Sequence, residues 1–233
     1  MTNIEFVYFD LDDTLLDHKY AEKQALQEMV VAHSALFNHA AFEVVLKRYS
    51  GINHEIWHQY SLGKLSKDGA KVGRFTQLLE ACQSPGIDQA AVLAQEYLDR
   101  YASHWVAIEG AIEAFVRTAY QLPVGILTNG FSEVQRSKLL QFPELGKHSK
   151  TIIISEDIGH LKPSPILFEH ARAQAGLEPD RILYVGDSLS SDVEGGTAAG
   201  WKVAWYSDQD SDHPDVWSFT DWNDFSQRIF PGR

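Results

Sequence analysis

The sequence predicts an α/β fold, a Rossmann-like and mainly parallel sheet with an all-helical domain inserted after the first strand. Three observations predict it. From residue 107 onward, short β-branched and aromatic runs alternate with single amphipathic segments, the pattern of a parallel sheet covered on both faces. Between residues 17 and 106, apolar residues recur at three- and four-residue spacing with no convincing strand among them. A strand-like run at residues 4–9 stands before that helical stretch and belongs with the later strands. The predicted division is a discontinuous core, residues 1–16 plus 107–233, and a helical cap, residues 17–106.

Taken in order, IEFVYF reads as a strand running into an acidic loop. AEKQALQEMVVAH, FEVVLKRYSGINHEIWHQY, GRFTQLLEACQ and DQAAVLAQEYLDRYASHW then read as four or more amphipathic helices. AIEAFVRTAY is helical, PVGILT (123–128) a buried strand, SEVQRSKLLQF helical and TIIIS (151–155) a strand. PILFEHARAQAG follows as a helix, RILYVGD (181–187) as a strand, SDVEGGTAAG as a helix and WKVAWY (201–206) as a strand.

With 44% hydrophobic residues, the chain buries a sizeable core without difficulty. A formal charge of −12 disfavours a nucleic acid polymer or an anionic membrane as partner. A small anionic substrate remains compatible, because a local cation outweighs the global field. There is no apolar run long enough to span a bilayer, and the first residues do not read as a signal peptide. A single cysteine, Cys82, fits a reducing compartment, hence an expected cytoplasmic location, and reads as a small buried hydrophobe. The sequence sets no oligomeric state.

Ligands of open α/β sheets bind at the carboxyl ends of the strands, so the residues there carry the functional reading. The first strand ends in Asp10, Asp12, Asp13 and Thr14. Asp10 suits a metal ligand and nucleophile and Asp12 a proton shuttle, against the alternative of a polar turn capping the next helix. PVGILT ends in Thr128, Asn129 and Gly130 before a helix starting near Ser132, a hydroxyl and backbone N–H groups suited to an anion, or an ordinary cap. Lys162 precedes Pro163, which biases it towards extended backbone, from where it can reach a phosphate. RILYVGD ends in Asp187, with Asp192 five residues on, a pair suited to a hard cation such as Mg²⁺. Carboxylates for a metal, a hydroxyl and a lysine for an anion, and a carboxylate for proton transfer together describe phosphoryl transfer.

In kind and order these residues resemble the motifs of the haloacid dehalogenase superfamily of hydrolases. Its D-x-D-x-T motif matches Asp10, Asp12 and Thr14; its threonine matches Thr128, its lysine Lys162, and its G-D-x-x-x-x-D motif Gly186, Asp187 and Asp192. The helical insertion resembles the family's alpha-helical cap class. The resemblance implies that Asp10 attacks phosphorus to form an aspartyl-phosphate, while Asp12 protonates the leaving oxygen and then activates the hydrolytic water. Thr128 and Lys162, with Asn129 beside them, would hold the phosphate. Mg²⁺ would bind the carboxylates of Asp10 and Asp187 and the backbone carbonyl of Asp12, with Asp192 orienting a metal-bound water or Lys162. An aspartate at position 12 implies a phosphatase or phosphomutase, not a dehalogenase or a transport ATPase. The insertion, with LTNGF and ISEDIGHLKP, is similar to the branch acting on pyrimidine nucleoside monophosphates, with phosphoglycolate and sugar-phosphate phosphatases as alternatives. The implied partner is a small phosphorylated metabolite.

Two short patterns point elsewhere. HEIWH (54–58) spells the H-E-x-x-H zinc-protease motif, but Ser61 and Lys64 stand where the longer metzincin form needs glycine and histidine. Its His54, Trp57 and His58 are instead candidates for leaving-group specificity, and Tyr60 and Phe75 are further aromatics that stack on a base or pack the cap. GDSL (186–189) spells a serine-esterase block, with Asp210 and His213 as a downstream D-x-x-H. Too little chain follows it for that family's remaining blocks, and Ser190 breaks the G-x-S-x-G elbow. A binding module without activity would lack catalytic residues, whereas every matched position here is intact.

Overall fold

The computed structural model describes residues 4–231. These form two compact units, one comprising the chain up to Asp17 together with Val106 onward, the other His18–Trp105.

The first unit is built on six strands: β1 (Phe6–Phe9), β2 (Val124–Thr128), β3 (Ser149–Ile154), β4 (Ile182–Gly186), β5 (Lys202–Tyr206) and β6 (Val216–Phe219). They pair in the order β3-β2-β1-β4-β5-β6, every pair parallel. All four residues of β1 and all five of β2 and β4 are buried, because the sheet is covered on both faces. The two-residue period of a strand sorts them: Val7, Phe9, Ile126 and Val185 join one apolar cluster, and Phe6, Tyr8, Leu127 and Tyr184 the other. Phe115, Trp222 and Phe225 complete the first cluster, and Phe168 and Trp201 the second.

The second unit consists of α1 (His18–Ala32), α2 (Phe42–Ser61), α3 (Lys67–Ala81) and α4 (Ala90–Ser103). Ser66 caps α3, its hydroxyl accepting from Gly69 N at 3.0 Å. The centre of this unit is aromatic, with Tyr49, Phe75 and Tyr97 fully or almost fully buried. Arg74 lies among them, its guanidinium 4.8 Å from the Tyr97 ring centre. Phe75 is therefore a packing residue and not a base-stacking one, since Tyr49 and Tyr97 occupy its neighbourhood at 5.9 and 5.3 Å. Cys82 is buried, as its apolar reading expects.

The remaining helices return to the first unit: α5 (Ala111–Ala119), α6 (Ser132–Gln141), α7 (Pro143–His148), α8 (Ser155–Ile158), α9 (Pro165–Ala175), α10 (Glu194–Ala198) and α11 (Trp222–Ile229). Sequence periodicity misses α7, α8, β6 and α11. The last had a readable signal: Asp221 caps it, accepting from Asn223 N at 2.6 Å, and Trp222 and Phe225 recur three apart as its buried face. SDVEGGTAAG is not one helix; a wide π turn at Leu189–Val193 precedes α10. Among the described residues, no helix is long and apolar enough to cross a membrane.

Candidate active site

The strand order brings the carboxyl ends of β2, β1 and β4 side by side. Asp10 continues β1 by one ladder bond, its N–H donating to Val185 O at 2.8 Å. Its carboxylate, 6% exposed as a residue, meets Lys162 Nζ at 2.7 Å. Lys162 arrives from the loop after α8, where Asn129 grips its backbone from both sides. Lys162 N donates to Asn129 Oδ1 at 2.8 Å and Asn129 Nδ2 donates to Lys162 O at 3.1 Å. The amide of Asn129 thus holds the lysine loop. The buried ammonium also donates to Asp192 Oδ1 at 2.8 Å and to Tyr184 Oη at 2.7 Å, and Tyr184 in turn donates to Leu127 O at 2.8 Å. The ammonium is thereby held by Asp10 after β1, Tyr184 within β4 and Asp192 in the turn that follows β4.

Asp192 is fully buried, and both its oxygens are engaged: Oδ1 by Lys162 and by Ser191 Oγ at 3.0 Å, Oδ2 by Ser188 N at 3.0 Å. The glycine of Gly186-Asp187 has a steric cause, because a Cβ at Gly186 would run into the Asp192 carboxylate. Asp187 is oriented through its backbone, whose carbonyl accepts from Trp205 Nε1 at 2.7 Å. One oxygen each from Asp10, Asp187 and Asp192 lie within 4.8 Å of one another. Burial pushes the Asp10 carboxyl well above the usual carboxylate range, and the charges of Asp192 and Asp187 add to this against the pull of Lys162. Burial also disfavours the Lys162 charge, yet Asp10 and Asp192 outweigh it and push its pKa up to about 12. Three carboxylates against one ammonium leave a local excess of negative charge, and the donor atoms are all oxygen. That set fits a hard divalent cation such as Mg²⁺. Asp10, Asp187 and Asp192 are thus its candidate ligands, and both Asp192 oxygens also accept hydrogen bonds.

Thr128, fully buried at the end of β2, has its Oγ1 2.8 Å from Gln135 Nε2. The same amide reaches Asp12 Oδ2 at 3.0 Å, and Lys138 Nζ lies 2.5 Å from Asp12 Oδ1. Gln135 and Lys138 were missed in the sequence, although their three-residue spacing on a helix directly after a strand end was readable. The backbone N–H groups near the start of α6 are less open than the sequence suggests. Gly130 N donates to Ser155 Oγ at 3.2 Å, and Ser132 N donates to Glu156 Oε2 at 2.6 Å. The anion at this helix end is thus supplied by the protein's own glutamate.

Neither short pattern forms its motif's site among the described residues. His54 and His58 are exposed on α2, Trp57 is half-buried against Tyr60, and Glu55 accepts from Gln59 Nε2 at 2.8 Å. Among the described residues, the carboxylates of Asp10, Asp187 and Asp192 form the only cluster arranged to hold a metal. Ser188 Oγ accepts from Ser191 N at 3.3 Å, capping the π turn, and no hydrogen bond joins it to His213 among the described residues. Ser188→Ala is expected to leave turnover within about threefold of wild type, at a cost of about 1 kcal/mol in stability for the lost cap. A parallel assay of activity and denaturant midpoint checks both.

A family model described as haloacid dehalogenase-like hydrolase matches residues 4–200. The chain belongs to the haloacid dehalogenase-like hydrolases. Within these hydrolases it is 28% identical over 232 residues to the pyrimidine 5'-nucleotidase YjjG of Escherichia coli, covering 97% of each chain. It is 30% identical over 207 residues to the pyrimidine 5'-nucleotidase PynA of Streptococcus pneumoniae, covering 87% of this chain and 84% of that one. Among solved structures, the HAD-hydrolase YfnB of Bacillus subtilis, bound to magnesium, superposes with a TM-score of 0.81 at 26% identity, over 99% of this chain and all of that one. The hydrolase core of six parallel strands is thus the family's own, and its strand ends carry the acidic and basic residues described above.

Proposed function

We propose that this protein is a Mg²⁺-dependent phosphomonoesterase that works through an aspartyl-phosphate and acts on a nucleoside 5'-monophosphate. The observation that carries the reading is the buried Asp10–Lys162 contact at 2.7 Å, flanked by Asp187 and Asp192. It supports the reading by bringing together a carboxylate suited to nucleophilic attack, an ammonium suited to an anion and two further carboxylates suited to a metal. Asp10 attacks phosphorus as the bond to the leaving oxygen breaks, and that oxygen takes a proton from Asp12. Water then attacks the aspartyl-phosphate, Asp12 accepts its proton, and the bond to Asp10 breaks to free phosphate. Lys162 and Thr128 hold the phosphate oxygens through both steps, with Asn129 keeping Lys162 in place. Asp10, Asp187 and the Asp12 carbonyl would hold the cation, which, when bound, supplies positive charge that offsets repulsion between carboxylate and phosphate. The helical insertion, residues 17–106, serves as a cap, with His54, Trp57 and His58 as candidates for recognising the leaving group. A cytoplasmic setting completes the proposal, in keeping with the lone buried Cys82.

The nucleotide preference is supported by the two nucleotidases to which the chain is similar. The Thermus thermophilus phosphoserine phosphatase, 29% identical over 225 residues, keeps another small phosphomonoester as the second reading. A panel of phosphorylated metabolites, assayed for phosphate release after chelation and then with added metal, tests the proposal. Uridine and thymidine monophosphates are expected to exceed sugar phosphates at least about tenfold in kcat/KM, a difference of about 1.4 kcal/mol. Chelator-treated protein is expected to be inactive, with activity restored by Mg²⁺ and not by Zn²⁺. Equal rates across the panel would remove the nucleotide preference, and activity unaffected by chelation would remove the metal.

A further inference from the structure

We infer that Lys138 and Gln135 are positioning residues for Asp12, holding both oxygens of its carboxylate so that it delivers and recovers a proton along one direction. The inference rests on the phosphomonoesterase reading. Its first support is the inward face of α6, where polar side chains are buried although Leu139 of the same helix packs against the first apolar cluster. This helix buries Gln135 and Lys138, each 2% exposed or less, while Leu140 is left 82% exposed. An amphipathic helix on a sheet ordinarily does the reverse. Burying a lysine and an amide is unfavourable unless their donors are satisfied, so their placement needs a polar object beneath the helix.

That object is Asp12. Lys138 Nζ lies 2.5 Å from Oδ1, with the lysine side chain 2% and the aspartate side chain 24% exposed. Gln135 Nε2 lies 3.0 Å from Oδ2. Held at separate oxygens by separate side chains, the carboxylate cannot swing about its Cα–Cβ bond without losing one of them. The same Gln135 amide touches Thr128 Oγ1 at 2.8 Å and Asn129 O at 3.1 Å. The acid–base aspartate and the phosphate-holding threonine are thus registered against one amide. Gly130 permits this approach, since a Cβ there would fall 2.8 Å from Gln135 Cδ.

A misplaced Asp12 should matter in proportion to how much the leaving group needs its proton. A primary alkoxide does not depart unprotonated, whereas p-nitrophenolate does. Because kcat/KM covers only the steps through leaving-group departure, the ratio of this constant for uridine 5'-monophosphate to that for p-nitrophenyl phosphate isolates the proton transfer. The ratio is independent of the fraction of protein that is folded. Lys138→Met is expected to lower it about tenfold or more, a part of the roughly 10²–10⁴-fold that general acid catalysis supplies, and Lys138→Arg to restore most of it. Gln135→Leu carries the same expectation and decides the matter where Lys138→Met does not fold. If both esters fall by the same factor in these variants, the two residues are merely structural and the inference is overturned. A wild type that releases phosphate from neither ester overturns the phosphatase reading and the inference with it. An active wild type with unchanged ratios in the variants overturns the inference alone.

Discussion

Asp10→Asn is expected to abolish phosphate release, lowering kcat by about four to six orders of magnitude, as removal of an activated nucleophile does elsewhere. The amide is isosteric but cannot form the acyl-phosphate bond, and it turns either a weak acceptor or a donor towards Lys162 Nζ. Stability should move the other way. Asp10 is one of three clustered carboxylates facing a single ammonium, and burial holds its carboxyl well above the usual range. Removing that charge in metal-free protein relieves repulsion with Asp187 and Asp192, so the melting temperature in chelator should equal or exceed that of wild type. Thermal unfolding beside a phosphate assay checks the pair of expectations. A variant with near-normal turnover would exclude Asp10 as nucleophile.

Lys162→Met carries the largest expected loss of stability, about 3–5 kcal/mol, the range for removing one partner of a buried ion pair. The methionine fills the space but leaves Asp10 and Asp192 without the ammonium that lies 2.7 and 2.8 Å from them, and Tyr184 without its donor. Turnover should be lost as well. Lys162→Arg should not rescue it, because a planar guanidinium cannot occupy a point served by three acceptors converging on one nitrogen. Added Mg²⁺ should return part of the lost stability by replacing the missing positive charge at Asp10 and Asp187. Since the Lys162 pKa is raised from 10.5 to about 12, its stabilisation is fully present below pH 10.5 and is lost only as pH rises through about 12. The wild-type contribution of this residue is therefore constant across the neutral range. Urea midpoints of wild type and variant at pH 7 measure the difference, and a difference below 1 kcal/mol would show that the ion pair is not the keystone of the site.

The legible part of the site consists of residues whose position follows from where a strand stops. Asp10, Thr128 and Asp187 each end a run of β-branched or aromatic residues, and a parallel sheet aligns those ends whatever the sequence between them. Lys162 was legible through its proline, and its loop is held by Asn129. Gln135 and Lys138 were not singled out, because a polar pair on a helix ordinarily marks its solvated face. Only the packing of α6 over Asp12 turns that face inward. HEIWH failed in the opposite sense: the helical spacing of its histidines is real, but the face they share is exposed on α2.

The sequence alone thus determined the α/β class, the helical insertion and the acidic and basic residues at the strand ends, because strand and helix periods are local properties of the chain. Tertiary structure decided what local pattern cannot encode. It paired both Asp12 oxygens with donors from α6, surrounded Lys162 with Asp10, Asp192 and Tyr184, and closed the backbone N–H of Ser132 with Glu156. Each of these contacts joins residues far apart in the chain. Their energies depend on burial, which exists only once the sheet and its covering helices have assembled.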